Sequence, residues 1–350
     1  MSSSEPEFND AREYSSLEEV MNTLLTAKGK SFRELDQTGR ALTGGNKGSL
    51  GQIIEESVLK YAINSDAAPD IHIGDTSYEL KVTPLKHIKK GKQTSAKERL
   101  VIDIINYLTL ADETDFESSK MWDKAKNIIL VYYYDDRTDK KKELRIDCKV
   151  LASYLMKYEA DDLATIKNDW HVIRDKVASG HADSLSESDT NYLAACTKGA
   201  NSKQLREAPA PAGANTATIF AKQRAFSLKT SYMTAIARKL LNRKSETVRL
   251  PIPQEQNLDE YVAAKFIPYT GKSSRDIASE LQVSAAPTAK NYNSSLAFAM
   301  LGASKSSISK IEQFSKANIS QFKSVTIYPD GLPREHMSFK AITDDQWEEW

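Results

Sequence analysis

Apolar positions along the chain switch between helical and strand spacing, and the switches mark out the elements. A helix is predicted around Leu17–Ala27. "TGGNKG" reads as a loop, and a second helix begins at Ser49, where Ser49-Leu50-Gly51-Gln52 has the form of a capping box. Leu50, Ile53, Ile54, Val58 and Tyr61 share one face of that helix. "PDIHIGDTSYELK", Pro69 to Lys81, reads as two short strands around a turn near Gly74-Asp75, within a hairpin spanning Ile71–Pro84. "ERLVIDIINYLTLA" mixes the two periods and stays open between strand and helix. Asn127–Tyr134, "NIILVYYY", is an almost continuous run of β-formers and predicts a central strand buried on both faces. "ELRIDCKVLA" predicts a strand that leads into a helix around Tyr154. "DDLATIKNDWHVIRDKVASG" predicts a long helix stopped at Gly180. "FSLKTSYMTAIARKLLNRK" reads as a strand or turn leading into an amphipathic helix. Beyond the loop "APAPAGANTA" and the boundary-like "VRLPIPQEQ", short helices are expected near Leu258–Phe266, Ser274–Leu281 and Asn293–Leu301, then strand-like "FKSVTIY" and "MSFKAI".

Composition narrows the class. The chain has 350 residues, 40% hydrophobic and 27% charged, which is ordinary for a globular protein with a sizeable core. No apolar run is long enough to span a bilayer, and the polar, acidic first 15 residues, expected to be disordered, do not resemble a secretory signal. Cys148 and Cys196 make no disulfide scaffold, so a reducing cytoplasm is the expected home. Formal net charge is zero, but the charge is unevenly spread. Lys81, Lys86, Lys89, Lys90, Lys92, Lys97 and Arg99 face only Glu98 in their stretch. A second basic stretch runs from Lys198 to Lys244 with Glu207 as its one acid. These runs fit either solvated faces or two walls of a phosphate-binding cleft.

The hairpin carries the chemistry. With the turn centred between Asp75 and Thr76, Asp70 would stand opposite Lys81, and His72 opposite Glu79, all four on one face. Tyr78, Leu80 and Val82 would enter the opposite layer. Two close carboxylates are costly to ionise unless a cation joins them, and Mg2+ is the hard, oxygen-seeking ion that suits them. A neighbouring lysine can orient a water and neutralise charge growing on a phosphate, which is the chemistry of metal-assisted phosphodiester hydrolysis. Glu55 or Glu56 on the preceding helix could add a third oxygen. A solvated ion-pair ladder would carry the same residues, so Glu79-x-Lys81 alone decides nothing. The five histidines lack zinc spacing, Cys196 reads as a packing residue, and no phosphate-binding loop or nucleophile-elbow motif occurs.

Several ordered segments together do decide. "KGSLGQIIEE", "PDIHIGDTSYELKVTP", "KERLVIDIINY", "YLAACTKGANSKQL" and "KQRAFSLKTSYMT" resemble the MutH/Sau-type endonucleases, over roughly residues 30–350 and closest to the restriction-enzyme branch. The resemblance implies an α/β, restriction-endonuclease-like mixed sheet flanked by helices. It implies a type II restriction endonuclease making Mg2+-dependent double-strand cuts before the G of GATC, with 5′-phosphate ends. By motif, the metal-binding and catalytic positions fall on Asp70 and Glu79, with Lys81 completing the Glu-x-Lys pair. The helix glutamate falls on Glu55, not Glu56. A further active-site lysine falls on Lys124, with Lys126 as the alternative.

The base-reading loop of that family falls on "CTKGANSK", with Lys198, Asn201 and Lys203 as candidate DNA contacts. A second reading segment falls on "RAFSLK". There Lys222, Arg224 and Lys229 would grip phosphate, and Ser227 stands where MutH carries a tyrosine, which weakens any methyl discrimination resting on it. The expected organisation is a disordered 1–15, a catalytic domain over 16–247, a helical linker over 248–315, and over 316–350 the start of a C-terminal DNA-binding domain, incomplete within this sequence. The expected partner is double-stranded DNA containing GATC, with a homodimer on DNA as one arrangement and no membrane. The competing readings are a MutH-like nicking enzyme and a non-cleaving DNA-binding module.

Overall fold

The computed structural model describes residues 13–39, 48–61, 70–88, 93–139, 143–199, 204–241, 247–254, 256–303, 307–330 and 332–334. "MSFKAI", Asn201, Lys203 and nearly all of the first 15 residues lie outside them. The strands described are β1 (Ile71–Ile73), β2 (Thr76–Ile88), β3 (Gln93–Ala96), β4 (Leu100–Ile104), β5 (Ile128–Tyr134), β6 (Val150–Leu155), β7 (Leu193–Thr197), β8 (Leu205–Pro209), β9 (Thr218–Lys222) and β10 (Arg224–Leu228).

The main sheet is mixed, in the order β1-β2-β5-β6, with β3 also on β2. Its one parallel pairing, β2 with β5, needs a crossover, and the segment holding β3, β4 and the helices Tyr107–Asp112 and Lys120–Ala125 supplies it. β5 is buried on both faces, as its apolar run predicts. One face, with Tyr78, Leu80 and Val82 from β2 and Ile129, Val131 and Tyr133 from β5, packs on Val20, Leu24, Phe32, Leu50, Ile53 and Ile54 from the N-terminal helices. The fold is thus the expected α/β sheet flanked by helices. A second, antiparallel sheet runs β4-β10-β7, and β8-β9 form a separate ribbon.

"ERLVIDIINYLTLA" resolves as both elements: β4, then a helix capped by Asn106. Two local expectations are corrected. The helix at Ser49 has no capping box: Gly48 flanks it without a side-chain cap, Ser49 is its first residue, and it runs on into a π turn over Ile54–Val58. Tyr154 lies in β6 rather than a helix, because pairing with Leu130 of β5 outweighs local propensity. At Gly180, with φ +84°, an added Cβ would meet Pro211 N at 2.2 Å, so close backbone approach as well as conformation requires glycine.

The chain divides into two compact units, residues 1–261 with 309–319, and 262–308 with 320–350. In the smaller, Ile277, Tyr292 and Leu296 form the core. In the larger, the helix Ala160–Ala178 buries Asp161, Asp162 and Asp169. Asp162 takes Lys316 Nζ at 2.7 and 2.8 Å, both residues almost fully enclosed. Asp161 accepts from Arg249 and, at 3.2 Å, from Gln313 Nε2. The contacts of Lys316 and Gln313 fasten Ser309–Ile319 to the rest of the larger unit. Breaking one partner of a buried pair strands the other charge. Lys316→Ala is therefore expected to cost ~3–5 kcal/mol of stability near pH 8 in urea unfolding. Burial already pushes Asp162 upward, so the cost should be smaller at pH 5 than at pH 8, because the lone carboxyl takes up a proton more readily as pH falls. An equal cost at both pH values would contradict this.

Candidate active site

Strand β2 is covered along one edge by two short partners that leave a gap. β1 ends at the pair Ile71–Tyr78, and β3 begins at Ala96–Leu85. Between them, residues 79–84 have no strand neighbour on that side among the described residues. Asp70, just before β1, fills the first place: its Oδ2 accepts from Leu80 N at 2.7 Å. Gly74, at φ +55°, turns the chain between Ile73 and Thr76, giving a two-residue turn. The turn therefore falls one residue earlier in the chain than the sequence suggested, with the same two-residue length. His72 faces Ser77, 2.9 Å from its hydroxyl, instead of Glu79, and the register carried one step on sets Asp70 beside Glu79, not Lys81. The expected shared face is kept.

Glu79 is buried, and its two oxygens differ. Oε1 accepts from Lys81 Nζ at 2.5 Å, while Oε2 is enclosed with no hydrogen-bond donor among the described residues. Burial pushes the Glu79 pKa up, Lys81 opposes this, Asp70 adds to it, and Lys124 opposes it again. Glu55, on the π turn, is pushed up to about 7, first by burial and then by Asp70; Lys81 pulls it back, while Glu56 and Glu79 push the same way. Glu55, Asp70, Glu79, Lys81 and Lys124 thus share one electrostatic neighbourhood. Among the described residues no three acidic, histidine or cysteine side chains converge closely enough to hold a metal ion, so Glu55, Asp70 and Glu79 are neighbours without forming a closed cage. The donor set still fits a divalent cation: the groups are oxygens, they are mutually repulsive, and one buried carboxylate oxygen lacks any donor. Lys124 Nζ lies 3.0 Å from Asp103 Oδ1, whereas Lys126 pairs with Asp123 on a more exposed surface.

The expected DNA contacts separate into two groups. Lys198 and Lys222 are exposed at one end of the β7-β10 pair, where Lys198 N donates to Gln223 O at 2.9 Å. Arg224 is beside them, with Nη1 on Ala195 O at 2.7 Å and a buried Nε that has no acceptor. Tyr107 Oη donates to Lys222 O at 2.5 Å and stiffens this edge. The other two residues lie elsewhere. Ser227 is fully enclosed in β10, its hydroxyl 3.5 Å from Ala194 O, and has no surface to offer a base. Lys229 is at the far end of β10, half-buried and tied to Thr190 O, because the strand between carries it away from the edge.

Residues 59–169 match the sequence model of the family described as DNA mismatch repair enzyme MutH. The chain is 35% identical over 349 aligned residues to the type II restriction enzyme Sau3AI of Staphylococcus aureus, covering 96% of this chain and 68% of that protein. The chain belongs to the MutH/Sau-type endonuclease family. It is also 26% identical over 225 residues to the DNA mismatch repair protein MutH of Shewanella woodyi, covering 63% of this chain and 90% of that protein.

Sequence reading missed several groups that shape the site of this MutH/Sau-type chain. Asp103 had no motif to flag it, because its partner Lys124 is 21 residues away. Asp169 is enclosed and accepts from the N–H groups of Asn191, Tyr192 and Leu193 at 2.8, 2.6 and 2.9 Å, fixing the start of β7. Burial raises it to about 7 despite those donors. Phe220 and Leu205 are exposed on the β8-β9 ribbon beside Lys222.

Glu55 gives a stability signature. Its folded pKa, about 7, lies above its ordinary 4.5. The stability it contributes is complete below about pH 4.5 and is lost as pH rises through 7. Metal-free protein should therefore lose ~1–3 kcal/mol over that window relative to Glu55→Gln, in urea unfolding with EDTA. Parallel pH profiles for the two proteins would show that Glu55 is not held in this way.

Proposed function

We propose that the chain is a type II restriction endonuclease that recognises GATC in double-stranded DNA, makes Mg2+-dependent double-strand cuts before the G and leaves 5′-phosphate ends. The observation that carries the reading is Glu79: a buried carboxylate on the central strand, with Asp70 and Lys81 beside it and one oxygen left without a donor. Asp70 and Glu79 would hold the ion, with Glu55 as a third oxygen. Bound there, Mg2+ would neutralise charge at the scissile phosphate and make water a better nucleophile. Lys81 would orient the attacking water and offset charge developing on the phosphate. Lys124 supplies a second positive charge near Glu79. Lys198, Lys222 and Arg224 form the DNA-facing edge, where long cationic side chains can reach guanine O6 and N7 or grip phosphate. Asn201 and Lys203 are proposed readers from the same loop. Every proposed catalytic residue belongs to the larger unit.

GATC is palindromic, so both strands present the same sequence to a reader. A two-fold pair of chains would bring one active centre to each strand. The MutH relatives favour a second reading, strand nicking, which the form of the product separates from the first.

The test is digestion of two closed-circular plasmids, one rich in GATC and one without it, with Mg2+ or EDTA. The expected outcome is linear fragments from the GATC plasmid with Mg2+ only, and a loss of at least about 10³-fold for Asp70→Ala or Glu79→Ala, the scale expected when charge stabilisation at the reacting centre is removed. Nicked circles that never become linear would favour the nicking reading. Cutting of both plasmids alike would remove GATC recognition, and binding without cutting would remove the enzymatic reading.

A further inference from the structure

Lys124 is the proposed catalytic residue farthest in sequence from the hairpin, and a lysine ammonium on a four-carbon stem wanders unless something anchors it. Its anchor is Asp103. The two charged groups are 3.0 Å apart and both partly shielded from water, with side-chain exposures of 16% and 29%. Shielding makes such a pair more effective than one on the open surface. The helix Lys120–Ala125 packs against β4, which carries Asp103.

The place of Asp103 within β4 is what gives the pair its meaning. β4 is hydrogen-bonded along β10, the strand that begins at Arg224 on the DNA-facing edge. Ile105 N donates to Arg224 O at 2.9 Å, and Ala225 pairs with Ile104. Asp103 is two residues back along the same strand, opposite Phe226. There the ladder slips: Phe226 faces Asp103 but Ser227 faces Val101, so Ile102 is an extra residue. A bulge of this kind bends a strand and re-aims the side chains beside it, and such bulges recur next to active sites. From the backbone of Arg224 to the ammonium of Lys124, the connection is one hydrogen bond, two residues of strand and one ion pair.

We propose that Asp103 is a positioning residue that ties Lys124, and through it the catalytic centre, to the base-reading sheet. The inference rests on the reading of Lys124 as catalytic. When the edge around Arg224 is seated on the correct bases, β4 holds Asp103 where it keeps Lys124 beside Glu79. When the edge is seated wrongly, β4 shifts and Lys124 leaves with it. Asp103 would then contribute to selectivity in the cleavage step without touching DNA.

Asp103→Asn keeps the shape and removes the charge; Asp103→Glu keeps the charge. Full-length variants are compared for single-turnover cleavage of a GATC duplex and of duplexes with one base pair changed, for duplex binding with Ca2+ by gel shift, and for melting temperature. For Asp103→Asn the expected result is a cleavage rate on GATC at least tenfold lower, binding within twofold of wild type, and a cleavage preference for GATC narrowed by a similar factor. Asp103→Glu should recover part of both. Because the effect passes through Lys124, Asp103→Asn combined with Lys124→Ala should be no slower than Lys124→Ala alone. Wild-type rate and preference in Asp103→Asn, with Lys124→Ala inactive, would overturn the inference and leave the catalytic reading intact. A fully active Lys124→Ala would remove the reading on which it rests. A slower double variant, or losses of binding and melting temperature in step with rate and unrelieved by Asp103→Glu, would reduce Asp103 to a structural ion pair.

Discussion

Burying a carboxylate is expensive unless it is fully bonded, and this molecule handles that cost in two contrasting ways. Asp135 lies at the end of β5; burial works against its charge, but Arg137 and Lys97 together outweigh burial and hold its pKa well below the usual carboxylate range. Asp162 has Lys316, and Asp169 has three backbone donors. Glu79 is equally enclosed, yet one of its oxygens has no donor. It also sits beside Asp70 and raises Glu55. A fold that satisfies its acids elsewhere leaves this one short of positive charge, and the remainder of the active site is organised around that deficit.

The deficit is held open by sheet architecture. If β1 and β3 met along the edge of β2, backbone pairing would run unbroken past Glu79 and Lys81. They stop short on either side, and the parallel neighbour β5 secures β2 from the other edge with an unbroken ladder from Ile128 to Tyr134. The strand is therefore rigid where the acidic groups are carried and open where a phosphate would approach. The edge that carries Lys198 and Arg224 belongs to a different sheet, β4-β10-β7, and the two sheets are joined through β4 and its neighbouring helix, which also packs against β2.

Much of this was legible in the sequence. The buried run of β5, the long helix stopped at Gly180 and the short helices after residue 257 follow from the spacing of apolar residues and from stop signals. The shared face of Asp70, Glu79 and Lys81 follows from alternation along the hairpin. What was not legible depends on distance in the chain or on register. Asp103 meets Lys124 across 21 residues, and Lys316 meets Asp162 across 154. Buried acids on Ala160–Ala178 look in sequence like the solvated side of a helix; only their distant partners make them interior. Lys229 and Ser227 share a motif with Arg224, but one strand puts its ends at opposite edges and encloses its middle, so proximity in sequence misled.

The register of the hairpin shows how much chemistry can turn on one turn residue. With the turn one residue later, Asp70 would face Lys81 and the hairpin would be a self-neutralised ladder with little need for anything further. With Gly74 in the left-handed region, the turn falls earlier and the two acids become neighbours, while Lys81 hydrogen-bonds Glu79. Three carboxylates then share two nearby ammonium groups, Lys81 and Lys124, and Lys124 is already engaged by Asp103. Like charges at such spacing resist joint ionisation unless a cation is supplied. The placement of the turn thus converts a pattern that could have been an ordinary ion-pair surface into one whose charge balance calls for a divalent ion. Moving that turn one residue along the chain would keep every proposed catalytic residue present and still remove the charge imbalance that favours a metal.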